Sequence, residues 1–163
     1  MAWLTPDEHQ EEVEAARDIV LRRLDRSPAP RAALADLLQR RQTDPRIAQE
    51  ILDRLESAGL IDDDAYAALA RTRFAEKGAA RRAIAEELRL KGLGEGSISA
   101  ALGQIGCEDE STAALTLARK KIAATRGLEP PVRRRRTLAL LGRKGYSHEV
   151  AMQALERALA GED

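Results

Sequence analysis

Four apolar residues at i, i+3, i+4 and i+8 occur three times along this chain, and the copies keep step with one another. Ala16, Ile19, Val20 and Leu24 form the first set; Tyr66, Leu69, Ala70 and Phe74 form the second, 50 residues on; Ala114, Leu117, Ala118 and Ile122 form the third, a further 48 on. That spacing lines one face of an amphipathic α-helix. A basic residue precedes the last member each time: Arg23, Arg73 and Lys121. A second pattern follows in the same phase. Leu38, Ile51, Leu52 and Leu55 match Leu88, Ala101, Leu102 and Ile105, and these match Leu141, Ala154, Leu155 and Ala158. Chance stripes in an Ala/Leu-rich chain would not hold both their internal spacing and their phase, so the chain reads as a threefold internal repeat.

Punctuation within each copy predicts three helices. Thr5-Pro6-Asp7-Glu8 has the order of a capping box with proline at the first helical position, and Asp44-Pro45 offers a similar start. Gly78, Gly92, Gly127 and Gly145 fall where helical patterns stop. Nine helices are expected, at about 6–25, 30–41, 45–58, 63–77, 79–91, 95–105, 109–125, 130–144 and 147–160. The units span 15–61, 62–107 and 108–160, behind an acidic leader at 1–14. The expected fold is all-α, an elongated curved array of three tandem three-helix repeats. Each unit would bury little apolar surface alone and so pack against its neighbours. Composition agrees: hydrophobic residues make up 44%, yet aromatics are limited to Trp3, Tyr66, Phe74 and Tyr146, too few rings for a β-sheet core.

Catalytic and metal chemistry find little support. Cys107 is the single cysteine, which excludes an intramolecular disulfide and suits a reducing cytoplasm. The start lacks a secretory signal pattern, and no apolar run is long enough for a membrane span, so a soluble, cytoplasmic chain is expected. His9 and His148 lack metal-ligand neighbours. The acidic run after Cys107 would raise a thiol's pKa rather than activate it, which leaves a loop thiol. Gly92-Leu93-Gly94-Glu95-Gly96-Ser97 has neither the preceding strand nor the Lys-Ser/Thr pair of a phosphate loop and reads as a flexible link. Asp62-Asp63-Asp64 stands where a helix begins and reads as capping rather than a metal cluster. No cofactor, metal or catalytic residue is expected.

Charge is where the sequence becomes specific. The chain is neutral overall, but residues 71–91 carry +4 and residues 119–136 carry +7, whereas 1–14 carry −5 and 92–118 carry −4. Separated basic segments suit a local docking surface better than a uniformly cationic nucleic-acid binder. The candidates are Arg71, Arg73, Lys77, Arg81 and Arg82 around the junction of the fourth and fifth helices, with Arg89 and Lys91 further along the fifth. Arg82–Glu86 and Glu87–Lys91 are the local pairs that would make that face merely solvated. Arg133-Arg134-Arg135-Arg136 starts the eighth helix, where the helix dipole disfavours cations and only Glu129 is a nearby acid. The third helix of the central unit lacks Lys, Arg and Asn, which argues against its reading a major groove.

Three ordered motifs then resemble one family. Gly59-Leu60-Ile61-Asp62-Asp63-Asp64-Ala65-Tyr66-Ala67 resembles the opening of the central unit in RecX proteins. Lys77-Gly78 through Arg81, Arg82 and Ile84 to Glu87-Leu88-Arg89-Leu90-Lys91-Gly92-Leu93 is similar to that unit's basic-Ile, Glu-Leu and Lys-Gly-Ile elements. Arg135-Arg136, Leu138 and Leu141-Gly142-Arg143-Lys144-Gly145-Tyr146-Ser147 resembles the family's third-unit arginines and Arg-Gly-Phe-Ser. The first unit departs: no acid precedes Leu34, and Arg41-Gln42 stands for Lys-Gly. The resemblance implies a non-catalytic cytoplasmic regulator that binds RecA recombinase filaments on single-stranded DNA. It further implies suppression of filament growth, ATP hydrolysis, strand exchange and repressor self-cleavage, and so modulation of DNA repair and the SOS response. A monomer is expected, with a weak direct DNA contact in addition. Arg71, Arg73, Lys77, Arg81, Arg82, Arg89, Lys91, Arg133, Arg134, Arg135, Arg136 and Arg143 would meet the partner. Reversing Arg81 and Arg82 to Glu is then expected to abolish inhibition at unchanged helical content. An independent DNA-binding protein and a helical adaptor for another protein are the alternatives, separable by binding to bare DNA and to recombinase.

Overall fold

The computed structural model describes residues 6–162. Among them lie nine helices: α1 (Pro6–Arg26), α2 (Arg31–Arg40), α3 (Pro45–Ser57), α4 (Asp63–Glu76), α5 (Arg81–Leu90), α6 (Glu95–Leu102), α7 (Cys107–Ala124), α8 (Pro130–Arg143) and α9 (His148–Ala160). No strand occurs among the described residues. A local side-chain cap explains three of the starts. The Asp44 carboxylate accepts from the Arg46 amide at 2.8 Å and Asp62 from the Ala65 amide at 3.0 Å, while the Ser147 hydroxyl accepts from the Val150 amide at 3.2 Å. Thr5, the expected first cap, lies outside the described residues.

The extensive helix contacts pair α1, α2 and α3, then α4, α5 and α6, then α7, α8 and α9. Each trio encloses its own core. The first is built on Val20, Leu34, Leu38, Ile51 and Leu52, the second on Ala67, Ile84, Leu88 and Ile98, and the third on Ala114, Ala118, Ile122, Leu141 and Leu155. This corrects the expectation that single units bury little apolar surface. Five of six stripe positions at i and i+4 are buried to within a few per cent, but Tyr66 is only half-buried and Leu69 remains 42% exposed. α1 runs unbroken from Pro6, so the acidic residues expected to form a leader lie on the first helix, and Val13 joins the first core.

Units meet through small, repeated contacts. Gly92 and Gly145 hold φ of +82° and +94°, and a Cβ on either would come within 2.5 Å of Ala32 Cβ or 2.7 Å of Ala83 Cβ in the preceding unit. α2 and α5 have Pro30 and Ala80 as N-caps, neither with a side-chain oxygen to offer. The next unit supplies one instead: the Arg31 amide donates to Asp63 Oδ1 at 2.9 Å, and the Arg81 amide to Glu110 Oε1 at 2.6 Å. α8 begins one turn earlier in the repeat, with Pro130 and Pro131, which have no amide hydrogens to satisfy. At the second junction the Ala80 amide donates to the Lys144 carbonyl at 2.8 Å, Lys144 Nζ to the Lys77 carbonyl at 2.9 Å, and the Tyr146 hydroxyl to the Gly78 carbonyl at 2.8 Å. The result is elongated. The chain exposes 10542 Å², against roughly 8000 Å² for a compact protein of 17.9 kDa.

Some boundaries differ from the sequence reading. α6 stops at Leu102, and α7 starts at Cys107, because a turn from Gly103 to Gly106 intervenes and the Gly106 amide bonds Asp109. Cys107 is therefore an exposed helical residue rather than a loop thiol. Gly127 does not adopt a positive φ; α7 closes at Thr125, whose buried hydroxyl donates to the Lys121 carbonyl at 2.8 Å.

Candidate functional site

The central unit gathers three of the predicted bases over two rings. Tyr66, Leu69, Ala70 and Phe74 on α4 floor a recess of about 190 Å³ rimmed by Arg73, Lys77 and Lys91. Arg73 and Phe74 are neighbours on α4, and Lys77 follows its end. Lys91 closes α5 at the Lys-Gly turn, which brings a base from the far end of the segment back to the same rim. None of the three side chains forms an ion pair with a described residue, so their charge is open to an anionic partner.

A second recess, about 230 Å³, lies across the junction with the third unit and is lined by Arg81, Arg82, Glu110, Gly145 and Ser147. Arg81 is partly buried; its Nε is shielded from solvent and has no hydrogen-bond partner. Arg82 stands exposed beside it. Arg71 is drawn elsewhere. It hydrogen-bonds Gln104 and faces a groove of about 530 Å³ between α4, α6 and α7 that also carries Glu76, Asp109 and Glu110.

α8 separates its four arginines by face. Arg133 is folded inward, its side chain 14% exposed, with Nη2 donating to the Ile122 carbonyl at 2.7 Å and to Glu162 at 2.8 Å. The hydrogen bond from Arg133, reinforced by Arg126, holds the Glu162 carboxyl below the usual range. Arg134 pairs with Glu156 on α9. Arg135, Arg136 and, a turn or two on, Arg143 point to solvent. Glu129 is thus not the only acid near this run: α9 and the residues after it bring two more. Arg89 is likewise neutralised, by Glu95 at 2.6 Å and Glu86 at 3.1 Å, in place of the expected Arg82–Glu86 and Glu87–Lys91 pairs. Hydrogen bonding from Arg89 lowers the Glu95 pKa.

The other motifs are structural. Asp62 caps α4, Asp63 caps α2 of the preceding unit, and Asp64 accepts from the Ser97 hydroxyl at 2.6 Å. Leu93 is buried in the turn between α5 and α6, and Glu95-Gly96-Ser97 open α6, so the glycine-rich stretch is not a loose tether. His9 sits 2.9 Å from Glu50. Among the described residues no three His, Cys, Asp or Glu side chains are grouped to hold a metal ion, and no helix is long and apolar enough to cross a membrane. The sequence reading missed one element, the repeated pairing of an arginine near the start of the second helix with an acid on the third. Arg31 pairs with Asp53 and Glu56 just as Arg134 pairs with Glu156, each acid standing on the unit's third helix. An identical separation of 22 residues between Arg31 and Asp53 and between Arg134 and Glu156 was the available signal.

Comparison with known proteins places this geometry. Residues 62–102 match the model of the second three-helix domain of RecX, and residues 108–155 that of the third. The Regulatory protein RecX of Streptomyces lividans is 44% identical over 154 residues, covering 93% of this chain and 82% of the relative. That of Thermobifida fusca is 40% identical over 148 residues, covering 90% and 80%. Among solved structures, a crystal structure of regulatory protein RecX aligns with a TM-score of 0.78 at 26% identity, over 95% of this chain and 79% of that one. RecX from Lactobacillus salivarius aligns with a TM-score of 0.81 at 19% identity, over 91% and 97%, and supports the fold. With relatives this similar over nearly its whole length, the chain belongs to the RecX family of regulatory proteins.

Proposed function

We propose that this chain is a non-catalytic regulator that binds RecA recombinase filaments on single-stranded DNA and inhibits their growth, ATP hydrolysis, strand exchange and coprotease activity. Family membership supports a regulatory role. The observation that carries the finer reading is the set of predicted bases that form no ion pair with a described residue: Arg71, Arg73, Lys77, Arg81, Arg82, Lys91, Arg135, Arg136 and Arg143. They lie along the second and third units, and an elongated body can present separated patches to a partner larger than itself. Arg89, Arg133 and Arg134 are paired with acids within the chain and contribute less. Replacing Arg73, Lys77, Arg135 and Arg136 together by Glu is expected to abolish inhibition of filament ATP hydrolysis while circular dichroism stays that of the wild type. Full inhibition by that variant would refute the reading.

One observation favours an added contact with the DNA of the filament. The recess of Tyr66 and Phe74 ringed by Arg73, Lys77 and Lys91 combines π-faces with phosphate-neutralising charge, the pairing that single strands use. A pull-down against filaments, bare single strands and free recombinase separates the contributions. Binding to bare DNA as tight as to filaments, with steep salt dependence, would instead make this an independent DNA-binding protein.

A further inference from the structure

The arginine at one repeat position, first residue of α2 and α5 and fifth of α8, is closed by a carboxylate in two units out of three. Arg31 meets Asp53 and Glu56, and Arg134 meets Glu156. Arg81 is their counterpart, 50 residues after the first and 53 before the last. The residue in register with Asp53 and Glu156 is Gly103, which has no side chain, and Gly106 takes the place of Glu56. Arg81 accordingly makes no ion pair with a described residue; its Nε, like that of Arg133, is shielded and has no hydrogen-bond partner. The Arg81 guanidinium therefore lacks the carboxylate that engages the Nη groups of Arg31 and Arg134 at the two sister positions.

We infer that the recess of Arg81 and Arg82 is a carboxylate-binding site that a partner protein fills with a single Asp or Glu side chain. The recess opens to solvent at the second junction, with Arg82 beside Arg81 as a second donor and the Ser147 hydroxyl on the wall. Glu110, the one acid lining it, is occupied by the Arg81 backbone amide. Its surroundings select a carboxylate over a nucleic-acid backbone. α7 starts with Glu108, Asp109 and Glu110, and a strand of phosphates entering here would run against all three, whereas one side chain brings one charge. The missing internal acid thereby becomes a vacancy specific for an acid supplied by another molecule. This inference rests on the proposed binding to recombinase filaments for the identity of the partner, but not for the existence of the site.

Two measurements on the full chain test it. The Arg81 Nε–H resonance, assigned by its loss in R81K, is followed during titration with sodium acetate, with sodium chloride at equal ionic strength as the control. A saturable displacement of Arg81, with Arg31 and Arg134 unmoved, is expected. Equal displacement of all three, or none by acetate alongside displacement by a short deoxythymidine oligomer, overturns the inference. Filament binding is measured in parallel. R81Q is expected to weaken it about tenfold or more at unchanged helical content. G103E, which restores an internal acid in register, is expected to weaken binding similarly while raising the Tm. Wild-type affinity in R81Q overturns the inference. Failure of the wild type to bind filaments would refute the proposed function and leave the acetate titration to judge the site.

Discussion

Gln42 holds φ at +61°, in register with Gly92 and Gly145, which hold +82° and +94° in the other two units. A side chain in this region is strained by roughly 1 kcal/mol or more, part of which glycine returns as backbone entropy. Gln42→Gly is therefore expected to stabilise the chain by about 0.5 kcal/mol, read as a higher urea midpoint at constant slope. Tyr146 gives a pH-dependent prediction. Burial, with Glu110 adding to it, pushes its phenol up to about 12, while its hydroxyl donates to the Gly78 carbonyl. The unfolded chain loses this proton near the ordinary value of 10, so the stabilisation is fully present below pH 10 and is lost as pH rises towards 12. Tyr146→Phe should cost about 1 kcal/mol at neutral pH through the lost hydrogen bond. Its unfolding free energy should then fall less steeply than the wild type's between pH 10 and 11; parallel curves would rule out the buried phenol as the cause.

At the scale of the helix, α8 shows how one run of like residues divides between two tasks. Arg133 ties α8 to the end of α7 and to Glu162, whereas Arg136 faces solvent. Arg133→Ala is expected to lower stability by about 1–3 kcal/mol, and Arg136→Ala to leave it within about 0.5 kcal/mol while weakening partner binding. Denaturant melts beside filament pull-downs distinguish the two effects. The helices themselves were legible because their signals are local: Asp44, Asp62, Ser147 and the Lys-Gly turns announce the boundaries within a few residues. The sorting of arginines was not, because Glu162 lies 29 residues from Arg133 and reaches it only once α9 has packed. The sequence marked Arg133 and Arg136 as equals; only the fold separates a tether from an open charge. The α6–α7 boundary was misplaced for a simpler reason, since Ile105 continues the apolar pattern past a turn made by Gly103 and Gly106.

For the whole molecule, three cores joined by thin junctions imply limited cooperativity. Stability should approximate a sum over units plus nearest-neighbour terms, with no single transition uniting them. Calorimetry is expected to give a calorimetric enthalpy greater than the van't Hoff enthalpy, and a ratio of one would show that the junctions couple the units fully. Small-angle scattering should give a radius of gyration several ångströms above the roughly 15 Å of a compact chain of this length. The repeat was visible from the sequence, but the independence of the cores was not, because stripe spacing reports which face is buried and not what it is buried against. Two prolines at the head of α8 have a final consequence. Each earlier unit leaves an amide for its successor's acid to engage, much as a growing polymer leaves a reactive end. Pro130 and Pro131 have no such amide. A junction bond of the kind that Asp63 and Glu110 accept therefore cannot form at the head of α8.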